Sequence, residues 1–309
     1  MSRTYTIGTR GSRLAVRQAE IVAQALRAAT PGAQIELREI ATEGDRSAAP
    51  LSEIGGAGVF TKAIEDALLA REIDIAVHSL KDLPPVIAAG LTIAAIPTRE
   101  DARDALVTRD GRSLEALPLG ARIGTGSSRR AAQLHALRGD IELADIRGNV
   151  DTRLRKVEDG EYDGAVLAMA GLERLGVAER AAEIFSIEQM LPAVGQGALA
   201  VQVRADDGEA MALVQAIDDR ETHVACEAER AFLERLGAGC EQPVGAYASV
   251  DNGEFHVRAM LASEDGLSIA RRELFGAMSE ARALGTRLAE ELLGVAPGPA
   301  PLGDELLTT

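Results

Sequence analysis

The 309-residue sequence predicts an α/β protein: two similar α/β domains around a cleft, followed by a smaller α+β C-terminal domain. Three observations predict it. Short apolar strands alternate with amphipathic helices through roughly the first 200 residues. Within that stretch the pattern restarts with matching strings in the same order. Ile7-Gly8-Thr9-Arg10-Gly11-Ser12-Arg13-Leu14-Ala15 parallels Ile123-Gly124-Thr125-Gly126-Ser127-Ser128-Arg129-Arg130-Ala131, and Glu72-Ile73-Asp74-Ile75-Ala76-Val77 parallels Glu161-Tyr162-Asp163-Gly164-Ala165-Val166. From about Glu221 the order changes to a long helix, three strand-like runs and a final helix. The expected division is 1–98 with 198–217, then 99–197, then 218–309.

In chain order, Tyr5 to Thr9 reads as a strand, and the helix from Ser12 to Ala28 stops at Pro31-Gly32. Ile35 to Ala41 is a strand. The glycine-rich stretch Gly55 to Gly58 precedes a helix from Val59 to Arg71, then strands Ile73 to His78 and Leu91 to Ile96. The second half repeats this with strands Ala105 to Thr108 and Ala121 to Thr125, helix Ser128 to Leu137, strand Ile141 to Ile146, helix Val150 to Glu158 and strand Ala165 to Ala168. Ala198 to Val203 is a strand reached through Pro192 to Gly197, a crossing back toward the first domain. The last domain has a helix from Glu221 to Leu236, strands Val244 to Val250, Phe255 to Ala262 and Leu267 to Leu274, and a helix from Ser279 to Leu293.

A net charge of -15 argues against a nucleic-acid binder working by general attraction to phosphates. Aromatics at 3% and no tryptophan leave no platform for base stacking. No apolar run reaches membrane-spanning length, and Met1 to Gly8 lacks the apolar core of a secretory signal. Two cysteines, Cys226 and Cys240, do not make a disulfide framework. These features predict a cytoplasmic protein with neither nucleic-acid nor membrane partners. The four histidines and two distant cysteines show no zinc-ligand spacing, so no metal is expected.

Both repeated strings run strand, Gly/Ser/Thr turn, helix. Such a helix start presents unpaired N–H groups that favour an anion, with Ser12, Ser127 or Ser128 as caps and Arg10, Arg129 and Arg130 adding charge. A plain cap with solvated arginines is the alternative at either turn alone; the pair in equivalent places favours a shared anion site. Arg147 and Arg153 flank another strand-to-helix junction, where a surface helix start is equally consistent. Arg174, in Ala170 to Gly176, carries little weight by itself, since helical arginines are usually solvated. His78-Ser79-Leu80-Lys81-Asp82 follows a buried strand, the place where α/β proteins gather reactive groups. Asp82 suits an acid/base or cation-stabilising role, with Lys81 biasing its ionisation, or else a turn residue bonding its own backbone. His78 reads as packed, and Cys226 as a small core residue of the long helix. Cys240 sits after Gly237-Ala238-Gly239, too open a turn to bury it deeply, and is the better nucleophile candidate.

Taken together, these segments resemble the porphobilinogen deaminase (hydroxymethylbilane synthase) family from about Ile7 to Leu293. The resemblance rests on Thr9 to Ser12, Gly55-Gly56 through Lys62, Asp74 through Pro84, Gly124 to Arg130, Arg147 to Arg153, Leu191 to Ala198 and Gly239-Cys240 with Pro243 and Gly245. It implies a monomer whose first two domains are like those of type II periplasmic binding proteins. It also implies a dipyrromethane cofactor covalently attached to Cys240. On that primer four porphobilinogen molecules are joined head to tail with loss of ammonia, and water releases linear hydroxymethylbilane for tetrapyrrole biosynthesis. Asp82 then matches the catalytic aspartate. Arg10, Arg129, Arg130, Arg147, Arg153 and Arg174 match the arginines that bind acetate and propionate groups. Ser12, Ser79, Lys81, Thr125, Ser127 and Gln196 match further contacts to cofactor or substrate.

The sequence departs from some relatives where they carry lysines before the glycine-rich helix, at Glu53 and Ala57, and at Glu241-Gln242 after the cysteine. The competing readings are a two-domain small-anion binding or sensing protein without catalysis, which requires neither Cys240 nor the last domain, and a thiol-dependent acyl transferase, for which no base lies near Cys240 in the sequence.

Overall fold

The computed structural model describes residues 3–41, 61–237, 243–251, 253–263 and 265–294. Strand β1 (Thr4–Thr9) leads into helix α1 (Arg13–Ala29), which buries Gln18, Ala19, Val22, Ala23 and Leu26. That spacing puts one face of the helix on the sheet. Strand β2 (Gln34–Glu39), helix α2 (Lys62–Leu69), β3 (Ile75–Ser79) and β4 (Leu91–Ala95) follow. The next set is β5 (Asp104–Thr108), β6 (Arg122–Gly124), α3 (Ser128–Leu137), β7 (Glu142–Ala144), α4 (Val150–Glu158), β8 (Gly164–Ala168), α5 (Met169–Leu175) and β9 (Glu183–Ile184). The chain then returns through β10 (Leu199–Arg204) and α6 (Gly208–Gln215).

The two sheets have the same plan. One is ordered β2-β1-β3-β10-β4 and the other β7-β6-β8-β5-β9. β1 and β6 each pair in parallel with two neighbours, while β10 and β5 run antiparallel to β3 and β8. Those two antiparallel strands are the ones the chain enters on arriving from the other sheet. The repeated strings thus fall at β1–α1 and β6–α3, equivalent places in the two sheets. Each sheet has its own core, centred on Ile7, Leu26, Ile75 and Val201 in the first and on Leu106, Ile123, Leu134 and Phe185 in the second.

The third domain comprises α7 (Arg220–Leu236), β11 (Val244–Asp251), β12 (Glu254–Ala262), β13 (Ile269–Gly276) and α8 (Ala281–Leu293). Its antiparallel sheet, ordered β11-β12-β13, packs with both helices around Phe232, Phe255, Val257 and Leu288.

Several boundaries differ from the sequence reading. Helical structure from Lys62 onward begins later than Val59, though 59–60 lie outside the described residues. The expected strand Ile141 to Ile146 is only Glu142–Ala144, and the last strand is shifted to Ile269–Gly276. Helix α5 is the helical setting expected of Arg174, while helix α6 and strand β9 have no counterpart in the expected elements; each is short, and the periodicity of a helix is weak over eight residues. Among the described residues, no helix is long and apolar enough to cross a membrane.

Two crossings connect the sheets, and they lie side by side. Arg99 Nε donates to Gln196 O at 2.7 Å, and Glu100 N donates to Gly197 O at 3.3 Å. The third domain reaches both through Glu229 of α7, which is completely buried. Its carboxylate accepts from Arg99, from Gly195 N at 2.7 Å and from Ala248 N at 2.9 Å.

Candidate active site

The two equivalent turns form as capped helix starts. Ser12 Oγ accepts from Ala15 N at 3.3 Å, and Ser127 Oγ accepts from Arg130 N at 3.4 Å, while Thr125 Oγ1 accepts from Ser127 N at 3.2 Å. Both serines therefore cap their own helices. The arginines beside the second turn are not solvated: Arg129 is 3% and Arg130 6% exposed.

What makes that burial tolerable is Asp104 at the start of β5, fully buried and absent from the sequence reading. Its Oδ1 accepts from Arg130 Nη2 at 2.6 Å and Nε at 3.1 Å. Its Oδ2 lies 2.8 Å from Arg129 Nη1, an ion pair without a well-directed hydrogen bond. Arg129 Nη1 also donates to Leu191 O, and Arg130 Nη1 to Val166 O at 2.9 Å. Burial alone would raise the Asp104 pKa; the two guanidiniums overcome it and hold the carboxyl far below the usual range. Arg129 is shifted downward by burial and by Arg130 beside it. An acid opening an otherwise apolar run, Asp104-Ala105-Leu106-Val107, is the one sequence signal Asp104 carries, and it does not set Asp104 apart from other strand-opening acids.

Lys81 and Asp82 sit on a single 3-10 turn at the end of β3. Lys81 Nζ donates to Gln196 Oε1 at 3.3 Å, across to the second crossing. Gln196, 1% exposed, donates through Nε2 to Asp104 Oδ1 and to Ala102 O, each at 2.8 Å. Burial and the nearby Arg130 push the Lys81 pKa down to about 8, against the pull of Asp82 and Asp104. Asp82 is half-buried, and the surrounding protein raises its pKa, opposed by the charges of Lys81 and Arg10. Arg10 thus faces the same turn. Ser79 Oγ accepts from Gln18 Nε2 of α1 at 2.8 Å, which ties the turn to the first helix. His78 is packed as expected: its Nε2 lies 3.2 Å from Gln202 Oε1, and burial pushes its pKa down to about 4.

Arg153 donates from Nε to Gly148 O at 2.9 Å, and its pKa falls to about 10 through burial and the charges of Arg130 and Arg147. Arg147 itself pairs with Asp145 at 2.9 Å and is partly exposed. Arg174 stands apart from this group. It is 8% exposed, contrary to the solvated position usual for a helical arginine, and donates to Gly197 O at 2.6 Å.

Cys240, Glu241, Gln242, Glu53 and Ala57 lie outside the described residues. The chain just beyond Cys240 is described, and it docks on the arginine site. Ala246 N donates to Pro192 O at 3.1 Å. A Cβ on Gly245 would lie 2.9 Å from Pro192 O and 3.2 Å from Arg129 Cδ, so only glycine permits this approach. Cys226, by contrast, is fully buried, with its thiol pushed up to about 12 by burial.

Arg10, Lys81, Arg129, Arg130 and Arg153 are therefore gathered around Asp82, Asp104 and Asp145, with several of the cations desolvated. Desolvated like charges favour an added anion. The donor set fits a group bearing several carboxylates. Among the described residues no cluster of metal-ligating side chains is present.

Residues 5–212 match the family model "Porphobilinogen deaminase, dipyromethane cofactor binding domain", and residues 223–294 match "Porphobilinogen deaminase, C-terminal domain". Porphobilinogen deaminase of Syntrophobacter fumaroxidans is 47% identical over 94% of each chain. That of Syntrophotalea carbinolica is 49% identical over 94% of this chain and 93% of its own. Among solved structures, a periplasmic binding protein of Salmonella typhimurium is 15% identical, covers 72% of this chain and 94% of its own, and has a TM-score of 0.39.

Proposed function

The chain belongs to the porphobilinogen deaminase family, and from that premise we propose that it is a transferase that condenses four porphobilinogen molecules head to tail and releases linear hydroxymethylbilane. The observation that carries this reading is the cluster of cations beside the Asp82 turn, with Arg129 and Arg130 buried and Arg153 and Lys81 half-buried. Every porphobilinogen brings an acetate and a propionate, so the site must bind carboxylates and tolerate their accumulation. Arg10, Arg129, Arg130, Arg147 and Arg153 are assigned to those carboxylates. Arg174 is assigned a place nearer the second crossing, where it holds Gly197 O.

The matched cofactor-binding domain is that of a dipyrromethane group, which when bound supplies the pyrrole end on which the product grows. We assign its thioether to Cys240, with Arg129, Arg130 and Lys81 facing its carboxylates. The docking of Gly245 against Arg129, five residues after the cysteine, supports that assignment.

Asp82 is assigned the catalytic role. Loss of ammonia from porphobilinogen leaves positive charge on the pyrrole, and a recessed carboxylate stabilises it more strongly than water would. The raised Asp82 pKa brings the group closer to neutrality, where it can also take and return a proton. Lys81 and Arg10 oppose that shift and keep the carboxylate available in its ionised form. Ser79, fixed by Gln18, positions the turn, and Ser12, Thr125, Ser127 and Gln196 shape the two helix starts and the crossing around it. The reading includes a cytoplasmic monomer with no nucleic-acid or membrane partner.

Intact mass spectrometry tests it. The purified protein should exceed its sequence mass by one dipyrromethane, and Cys240→Ser should restore the sequence mass. An unmodified protein with full activity overturns the tether; one that binds porphobilinogen without turnover and carries no added mass is an anion-binding module instead.

A further inference from the structure

We propose that Asp104 is a positioning residue for the condensation: from the buried start of β5 it holds the Arg129 and Arg130 guanidiniums and, through Gln196, the Lys81 ammonium, so that the carboxylate-binding side of the cleft and the Asp82 turn are set as one unit. The proposal rests on the roles given above to Asp82 and the arginines.

Asp104 opens the antiparallel strand by which the chain enters the second sheet, and Gln196 lies in the crossing by which it leaves. Lys81 and Asp82 end β3 of the first sheet. Three separate parts of the fold therefore meet through one carboxylate and one amide.

The hydrogen bonds fix the direction of that link. Gln196 Nε2 faces acceptors, Asp104 Oδ1 and Ala102 O, both at 2.8 Å. An amide with its nitrogen committed in this way presents its oxygen on the other side, and that oxygen accepts from Lys81 Nζ. The amide dipole thus carries the negative charge of Asp104 toward the ammonium. Asp104 Oδ1 receives Arg130 through two nitrogens and Gln196 through a third, so moving any one partner disturbs the others. Removing the carboxylate would leave two adjacent buried guanidiniums facing each other without compensation.

Lys81 reports on the unit. Among the described residues, the charged groups acting on it include Asp82 on its own turn, Arg129 and Arg130 on α3, and Asp104 on β5. Its ammonium is held in its charged form by the two carboxylates against burial and two guanidiniums.

The chain has only three lysines, Lys62, Lys81 and Lys156, so side-chain NMR of protein labelled with [13C]lysine follows each one. The spectra are taken on the holoprotein without substrate. In Asp104→Asn and in Gln196→Leu, the Lys81 midpoint should fall from its value in the parent by about half a unit or more, while Lys62 and Lys156 stay in place. Steady-state kinetics should show a loss of about tenfold or more in kcat/KM for Asp104→Asn. Combined with Lys81→Gln, the loss should be at least about threefold smaller than the product of the single effects.

An unmoved Lys81 midpoint in the folded variants, or losses that multiply within about twofold, overturns the proposal and leaves Asp104 a purely structural ion-pair partner. Should Asp104→Asn fail to fold, Gln196→Leu decides, since it leaves both arginine pairs with Asp104 intact. The lysine titration needs no turnover. Failure of the parent protein to make a tetrapyrrole from porphobilinogen would therefore defeat the functional reading separately.

Discussion

Arg99 Nη1 lies 2.6 Å from Glu229 Oε1, joining the first crossing between the two sheets to the central helix of the third domain. The acid is completely buried and the arginine side chain is 10% exposed. A pair so placed does not stabilise a fold greatly over well-packed apolar residues, but a charge left there alone is strongly unfavourable. Glu229→Ala, which also strips the acceptor from Gly195 N and Ala248 N, should lower stability by about 3–5 kcal/mol in urea denaturation. An effect below about 1 kcal/mol would mean that the third domain is not anchored through this acid.

The helices α7 and α8 meet where Gly285 faces Ala228. A Cβ on Gly285 would stand 2.0 Å from the Ala228 carbonyl oxygen, a backbone atom that cannot swing aside. Gly285→Ala should therefore part the helices and destabilise by about 1–3 kcal/mol. Gly208→Ala, with open space at its Cβ, is the control and should change stability by less than about 0.5 kcal/mol.

Asp82→Asn preserves the shape of the turn and removes the negative charge. The covalent group should remain, as read by intact mass, while turnover falls by about 10²-fold or more. Near-normal turnover by this variant would take Asp82 out of the mechanism.

His78 gives the fold an acid-side dependence. Its pKa in the folded protein is about 4, below the ordinary 6.5, because burial disfavours the cation. Between those values the unfolded chain binds more protons than the folded one. The contribution is complete above about pH 6.5 and is lost as the pH falls toward 4, roughly 3 kcal/mol in all. Depressed carboxylates such as Asp104 act only lower, as pH falls below their ordinary value of 3.8. His78→Gln can donate to Gln202 Oε1 without titrating. Its denaturation midpoint should fall less than that of the parent between pH 7 and pH 4.5; equal falls would exclude His78 as the source.

The parts of this protein legible in its sequence were those written in local signals. The turns at Thr9 to Ser12 and Thr125 to Ser128 announced the two equivalent helix starts, and the restart of the strand pattern announced the second sheet. Residues that act through tertiary contact were not legible. Asp104 looks like any strand-opening acid until α3 places Arg129 and Arg130 over it, and Glu229 looks like one of many helical glutamates. Ser12 and Ser127 show the opposite case: a short polar residue before a helix satisfies the helix first, and any ligand contact is additional. Arg174 read as weak because helical arginines are usually exposed, yet the second crossing buries it.

The antiparallel strand β10 has a consequence for the order in which the protein is made. All the strands of the second sheet lie between Asp104 and Ile184 and pair only among themselves. The first sheet lacks an interior strand until Leu199–Arg204 has left the ribosome, because β10 fits between β3 and β4. The N-terminal half of the chain must therefore wait, with β3 and β4 unjoined, while the half synthesised later closes its sheet first.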